Sequence, residues 1–336
     1  MPSTRTTRSS LLSALQELAE ADGPPGREEP VRRLVGRHLS PSMRRVRVSP
    51  LGSLYAERPS ARGARLLLTA SLDETGFIVS HVDRAGIAWV QPHGRINADL
   101  SSGAPIRFER GMRATLGVIP RTPGNVAPPR MLADFGADDP AGTIRIGTMG
   151  VFDTPWKDER TLLSCKAIDG RLGAAIALEV VQRTSRAPNT LLLALTTLGQ
   201  VHHRSLHAAA TELAPAGAVT LGAYPVPPMR VPGCTDVHPG KGPVILLRSA
   251  LFVADPKLVE GLRQAAAKAR IPYQLAVAVD DTPGAANLCS SLEGIPTAAL
   301  LVPCTGVGTP RQQVEIRDLE AAVELLVKLL ARPLVI

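Results

Sequence analysis

Two hydrophobic patterns alternate along the chain. Leucines recur at helical spacing over residues 11–22, and the string GPPG at 23–26 ends this first predicted helix. A second helix is predicted over 28–39. Short runs rich in β-branched residues follow, and the string ARLLLTASLDETGFIVSHV has the unbroken apolar stretch typical of a buried strand.

The pattern changes twice after this strand. Residues 75–163 carry many glycines and prolines between short apolar runs, which predicts a small β-rich unit with tight turns. From residue 164 onward, helices such as RLGAAIALEVVQRT alternate with apolar strands such as TLLLALTTL and TAALLVP. This alternation favours a central, largely parallel sheet covered on both faces. We therefore predict an α/β domain formed by 1–74 and 164–336 and interrupted by a β-rich insert at 75–163.

Composition narrows the classes of protein to which the chain can belong. The 336 residues are 44% hydrophobic and 20% charged, which excludes a disordered chain and requires a large core. Only 3% are aromatic, so base-stacking platforms are not expected, and the net charge of +8 alone is weak evidence for nucleic acid. No apolar stretch is long enough to span a membrane.

The cysteines indicate the compartment. Cys165, Cys234, Cys289 and Cys304 are widely spaced and form no CxxC pair. This spacing fits reduced thiols better than a disulfide framework or a structural zinc site. We expect a cytoplasmic protein.

Several strings resemble one known family. LLLTASLDETGFIVSHVD, CKAIDGRLGAAIALEVV, GKGP and EGIPTAALLVP occur in the order found in the tetrahedral aminopeptidases, and the resemblance covers almost the whole chain. That family of dinuclear metallopeptidases includes glutamyl aminopeptidases and the endoglucanase M proteins. The resemblance implies a peptidase-type α/β sandwich with a PDZ-like or β-barrel insert, and dimers that assemble into tetrahedral dodecamers. It also implies two divalent ions, zinc or cobalt, and a glutamate general base.

At most of the functional positions that the resemblance assigns, this chain has a residue of a different chemical type from that of the family. The metal-ligand positions fall at Ser71, Asp169, Gln200, Leu221 (or the adjacent Gly222) and Gly308, and the general base falls at Gly199. The string Thr282-Pro283 stands where the family has Thr-Asp. Only Asp169 keeps a competent donor, and one carboxylate cannot hold two ions.

The first hypothesis follows from this loss. We expect no metal cofactor and no peptidase reaction, because a glycine at the base position removes the group that accepts a proton from the attacking water. The chain would be a catalytically inactive relative, acting as a structural or regulatory subunit with its own copies or with an active paralogue.

The alternative hypothesis is a hydrolase with a rebuilt site in the same cleft. Its candidate residues are Asp73, Cys165, Asp169, His203 and His207. If a helix begins near residue 202, His203 and His207 share a face, as a metal or anion site would require. The competing interpretations are a solvated helix start, an inherited aspartate that caps the helix 170–184, and cysteines that act as small buried hydrophobes. Convergence of these side chains in an open cleft would favour the enzyme.

Overall fold

The computed structural model describes residues 4–41, 43–84, 87–120, 129–136, 144–227, 236–278, 284–334 and 336. The α-helices in these ranges are α1 (Thr4–Glu20), α2 (Glu29–His38), α3 (Ile168–Arg183), α4 (Ser205–Leu213), α5 (Pro256–Ala269), α6 (Ala285–Cys289) and α7 (Ile316–Leu330).

The strands in the described ranges form one large sheet and one barrel. They are β1 (Arg44–Val48), β2 (Leu54–Arg58), β3 (Arg65–Ser71), β4 (Gly76–Val82), β5 (Ala88–His93), β6 (Pro105–Phe108), β7 (Arg113–Ile119), β8 (Arg130–Asp134), β9 (Met149–Phe152), β10 (Lys157–Glu159), β11 (Leu162–Cys165), β12 (Thr190–Thr196), β13 (Gly217–Val226), β14 (Val244–Arg248), β15 (Gln274–Val277), β16 (Thr297–Thr305) and β17 (Gln312–Glu315).

The large sheet has a parallel centre. Its main strand order is β1-β2-β12-β3-β13-β16-β17-β11-β10, with β14 on β16 and β15 on β14. Strands β12, β3, β13 and β16 run parallel to their neighbours in this group, whereas β2, β14 and β17 pair with it in antiparallel register. The predicted mixed, largely parallel sheet is confirmed.

Helices cover both faces of this sheet, which explains why its central strands are almost continuously apolar. Along β3, Leu66 and Leu68 belong to one buried cluster with Leu172 of α3, whereas Leu67 faces the other side and packs with Leu206 of α4. Successive side chains of a strand point to opposite faces, so a strand buried on both sides loses the polar alternation of a half-exposed one.

The insert is a closed barrel of six strands in the order β4-β5-β8-β7-β6-β9. Its small core includes Phe77, Ile106 and Phe152. The barrel form of the predicted insert is confirmed. Its strands lie within the predicted 75–163, but residues 157–159, which the sequence placed in the insert, form β10 in the large sheet.

Several local expectations differ from the structure. Helix α1 begins at Thr4, earlier than the leucine pattern indicates, and α6 and β17 were not predicted. The latter two have five and four residues, too few to establish a hydrophobic period. None of the helices in the described ranges is long and apolar enough to cross a membrane.

A chain of ion pairs ties the barrel to the sheet domain. The buried Lys166 ammonium donates to both Glu74 oxygens at 2.9 and 3.0 Å and to Asp22 at 2.8 Å. Asp22 also accepts from Arg107 of the barrel at 2.7 Å. Burial raises the pKa of Asp22, but the Arg107 hydrogen bond and the Lys166 charge outweigh it and hold that pKa below its ordinary value. The completely buried Arg171 donates to Glu74 from the other side.

Candidate functional site

A cavity of about 370 Å³ opens where the parallel strands end. Ser71 is the last residue of β3, Gly199 and Gln200 follow β12, Leu221 lies on β13, and Asp169 lies in the first turn of α3; all five line the cavity. The carboxyl ends of parallel strands meet at one edge of a sheet, so residues more than 100 positions apart converge there.

Two of the assigned positions touch each other inside this cavity. Gly199 is buried, and a Cβ built on it would lie 2.0 Å from the Ser71 hydroxyl oxygen and 2.9 Å from the Ser71 Cβ. A real Cβ cannot come that close, so the serine fills the space that any side chain at Gly199 would enter first. Ser71, at an assigned ligand position, therefore packs directly against Gly199, at the assigned base position.

Gly308 is the assigned position that does not line the cavity, although its neighbour Val307 does. Its backbone has φ +75°, and its carbonyl accepts from the Asn97 N–H at 2.8 Å. A Cβ at Gly308 would lie 2.9 Å from the Arg95 carbonyl oxygen. Both the left-handed backbone and this close approach therefore favour glycine over a histidine at this position.

Asp73 is fully buried and does not line the cavity. Its Oδ2 accepts from the Gln200 backbone N–H at 2.6 Å, while Oδ1 finds no hydrogen-bond partner among the described residues. Burial raises the pKa of this carboxyl to about 7, a shift that the Gln200 hydrogen bond opposes and the Glu28 charge reinforces. Asp73 therefore holds the turn after β12 in place from behind the cavity.

Asp169 reaches the cavity but is already engaged. Its Oδ1 accepts from the Gly170 N–H at 2.8 Å, and its own N–H donates to the Gln312 side-chain oxygen at 2.7 Å. Burial raises the pKa of Asp169, although hydrogen bonds from Gln312 and Gly170 oppose that shift. The interpretation of Asp169 as the residue that caps the helix needs correction, because α3 begins at Ile168 and Ala167 occupies the N-cap.

The two histidines do not form a pair on one helix face. Helix α4 begins at Ser205, so His203 precedes it and lines the cavity. His207 lies within the helix, where its Nδ1 is 2.7 Å from the Ser291 hydroxyl, and it is not among the lining residues. The prediction of a shared i, i+4 face is therefore wrong, because it required the helix to begin two residues earlier.

The described cysteines, Cys165, Cys289 and Cys304, are also outside the cavity. Cys165 is completely buried in the main core, its thiol donates to the Thr154 carbonyl at 3.5 Å, and burial raises its pKa to about 12. Burial likewise raises the pKa of Cys304, and the Asp169 charge adds to that shift. Since the thiolate is the nucleophilic form, neither thiol is activated. Cys234 and the Thr282-Pro283 string lie outside the described residues.

The rebuilt hydrolase site therefore does not assemble. Of its candidates, only Asp169 and His203 line the cavity, and Asp73, Cys165 and His207 are held by other contacts. The sequence missed Arg95, which the barrel side contributes, and Asn287 of α6. No local pattern marks either residue, because each reaches the cavity only through the packing of distant segments.

The donors around the cavity do not fit a two-ion centre. Such a centre needs several carboxylates or imidazoles per ion, whereas Ser71, Gln200, Leu221 and Gly308 supply none. Within the described part of the chain, no group of three or more His, Cys, Asp or Glu side chains is arranged to hold a metal ion.

Comparison with known proteins identifies the fold and the family. The model of the M42 glutamyl aminopeptidase family matches residues 52–325. A putative aminopeptidase of Acetivibrio thermocellus is 23% identical over 95% of this chain and 98% of its own length, and the lysyl aminopeptidase of Pyrococcus furiosus is 23% identical over 94% and 95%.

Solved structures agree with the family match. An aminopeptidase from the archaeon Desulfurococcus kamchatkensis superposes with a TM-score of 0.88 at 24% identity, covering 97% of this chain and 95% of that one. The Pyrococcus horikoshii TET1 peptidase, which can assemble into a tetrahedron or a large octahedral shell, gives 0.83 at 21% identity over 96% and 99%. With a family model that matches most of its length and relatives aligned end to end, the chain belongs to the M42 glutamyl aminopeptidase family.

Proposed function

We propose that this chain is a non-catalytic member of its family that acts as a structural or regulatory subunit of an oligomer. The observation that carries the proposal is the packing of Ser71 against Gly199. A Cβ built on Gly199 would lie 2.0 Å from the Ser71 hydroxyl oxygen. The position assigned to the general base has no side chain, and a side chain added there would have to displace the Ser71 hydroxyl. At the point where the reaction needs a proton acceptor, the cleft therefore holds two uncharged residues, Ser71 and Gly199.

Magnitudes support this proposal. General base catalysis contributes about 10²- to 10⁴-fold to such reactions. Loss of even an outer partner of a metal ligand costs about 10- to 100-fold in metal affinity or activity. Here, four of the five assigned ligands are replaced together with the base. Combined losses of this size would leave no useful peptidase rate.

The conserved framework supports the assembly part of the proposal. The TET1 relative, which assembles into closed shells, aligns with 96% of this chain at a TM-score of 0.83. A dodecameric structure of a related TET1 protein also aligns with 96% of the chain. We therefore propose self-association into dimers and a tetrahedral dodecamer, with an active paralogue as a second partner for co-assembly.

Hydrolysis and metal content test the catalytic part. The purified chain would be incubated with zinc or cobalt and assayed on leucyl, lysyl and glutamyl p-nitroanilides, with the Pyrococcus furiosus lysyl aminopeptidase as a positive control. We expect no hydrolysis above the blank. About two ions per subunit together with metal-dependent hydrolysis would overturn the proposal.

Native mass spectrometry tests the assembly part on the same sample. A dodecamer would appear at twelve times the chain mass of 35.5 kDa. A co-assembled paralogue in protein purified from its own host would appear as a second subunit mass. A strictly monomeric chain at micromolar concentration would contradict the subunit role.

A further inference from the structure

The cleft has a cationic wall that the proposed function does not use. Arg95, His202, His203 and Arg204 all line the cavity of about 370 Å³, and Asp169 is the acidic side chain among the lining residues. Arg95 and Arg204 are exposed, and neither guanidinium has an acidic partner among the described residues. These two guanidiniums create a positive local potential.

Asp169, the carboxylate among the described residues that line the cavity, does not cancel this charge. Asp169 Oδ1 already accepts from the Gly170 N–H at 2.8 Å, and it lies in the first turn of α3. The positive end of the helix dipole compensates a carboxylate at that position. The guanidiniums are attached to other segments, before α4 and after β5, and remain available to a ligand.

Other lining residues are apolar, and Leu221, Ala223 and Pro225 of β13 form an apolar wall together with Val307. Gln200 and Asn287 also line the cavity. A pocket with apolar walls and a few convergent polar groups is typical of a small-molecule site. An inorganic anion would leave the apolar wall uncovered.

We propose that this cleft binds a small organic carboxylate, with its charged group at Arg95 and Arg204 and its apolar body against β13. This inference rests on the proposed function, because a dinuclear metal centre would occupy the same space and attract the same ligand. Guanidinium groups match carboxylates through paired, charge-assisted hydrogen bonds, which gives the site its selectivity for charge.

Isothermal titration of the wild-type chain in EDTA tests the ligand class. The probes are 4-phenylbutyrate, the neutral 4-phenylbutanol, the cationic 4-phenylbutylamine and inorganic phosphate. We expect the carboxylate to bind at least about tenfold more tightly than the alcohol and the amine, the difference that a charge-assisted hydrogen bond supplies. Equal affinity for alcohol and carboxylate, preference for the amine, preference for phosphate, or no binding at all would each overturn the inference.

Variants then locate the charged group. Arg95→Gln and Arg204→Gln should each weaken 4-phenylbutyrate binding about fivefold or more, while leaving the affinity for the alcohol unchanged. Arg186→Gln is the matched control, because Arg186 is exposed and outside the cavity. Equal loss in all three variants, or no loss in the first two, would refute the assignment. The wild-type comparison stands even if a variant fails to fold.

The two proposals fail separately. Metal-dependent hydrolysis of anilides would refute the non-catalytic role whatever the titration shows. Carboxylate binding that appears only after zinc or cobalt is added would refute this inference, since the protein's own cations would then not be the binding groups.

Discussion

Substitution of Gly199 by alanine tests whether Ser71 fills the base position. The new Cβ would lie 2.0 Å from the Ser71 hydroxyl oxygen, 2.9 Å from its Cβ and 3.0 Å from Asp73 Oδ1. The φ of Gly199 is outside the left-handed region, so the backbone accepts alanine and the cost arises from packing alone. Overpacking of this kind costs about 1–3 kcal/mol.

A second substitution should remove most of that cost. Ser71→Gly deletes both serine contacts and by itself should cost about 0.5–1 kcal/mol, as glycine does within a strand. In that background, Gly199→Ala should change the free energy of unfolding by about 0.5 kcal/mol or less. Of the three nearest atoms, Asp73 Oδ1 at 3.0 Å remains, and the lost freedom of the unfolded chain offsets that approach. The coupling between the two sites should therefore be about 1–3 kcal/mol.

Urea unfolding of the four proteins, followed by far-ultraviolet circular dichroism at one protein concentration, measures this cycle. Gly36→Ala is the control, because Gly36 is exposed in α2 and a Cβ there meets nothing within 4 Å. It should stabilise the chain by about 0.5–1 kcal/mol. If Gly199→Ala costs nothing, or costs the same with and without Ser71, the serine does not fill this space and our account of the site is incorrect.

Three further predictions concern buried groups. Lys166→Met should lower the free energy of unfolding in urea by about 3–5 kcal/mol, because it removes the ammonium 2.9 Å from the buried Glu74 carboxylate; a loss below 1 kcal/mol would argue against the ion network. The raised pKa of Asp73, about 7, means that the folded state holds a proton that the unfolded state releases near pH 4. Its contribution to stability is therefore complete below pH 4 and is lost as the pH rises to about 7, by up to about 1.4 kcal/mol per pH unit. Asp73→Asn should flatten this slope in unfolding curves measured from pH 4 to 8, and an unchanged slope would refute the assignment. Iodoacetamide at pH 7 should leave Cys165 unmodified in the native protein and alkylate it in urea, as peptide mass spectrometry would show, because burial raises its pKa to about 12. Native labelling at the rate of an exposed thiol would contradict its burial.

Local pattern accounts for most of the fold. Helix α5 occupies the residues predicted from the string PKLVEGLRQAAAKA, and Asp255 caps it by accepting from the Leu258 N–H. The fully buried β12 follows from the string TLLLALTTL. Such elements depend on neighbours two to four positions away, which the sequence displays directly. Short elements such as α6 offer too few residues for a period, and the structure alone shows them.

For the candidate site too, sequence comparison located some features and the tertiary structure decided others. Comparison of strings located Ser71, Asp169, Gly199, Gln200 and Leu221, and the structure brings all five to one cavity. The resemblance could place them because strand ends of a parallel sheet converge wherever that topology is kept. The chemistry of the cavity nevertheless depends on side-chain contacts, which a comparison of sequence strings does not show.

The sequence by itself determined the family framework, the barrel insert and the replacement of four of the five assigned ligands together with the base. Only the tertiary structure decided that Ser71 packs on Gly199, that His203 and His207 separate, and that Arg95 joins Arg204 at one cavity. The physical reason is the separation along the chain of the residues that interact. Periodicity and string identity report on backbone conformation and topology, whereas a side-chain contact between residues over 100 positions apart exists only after the whole core has packed.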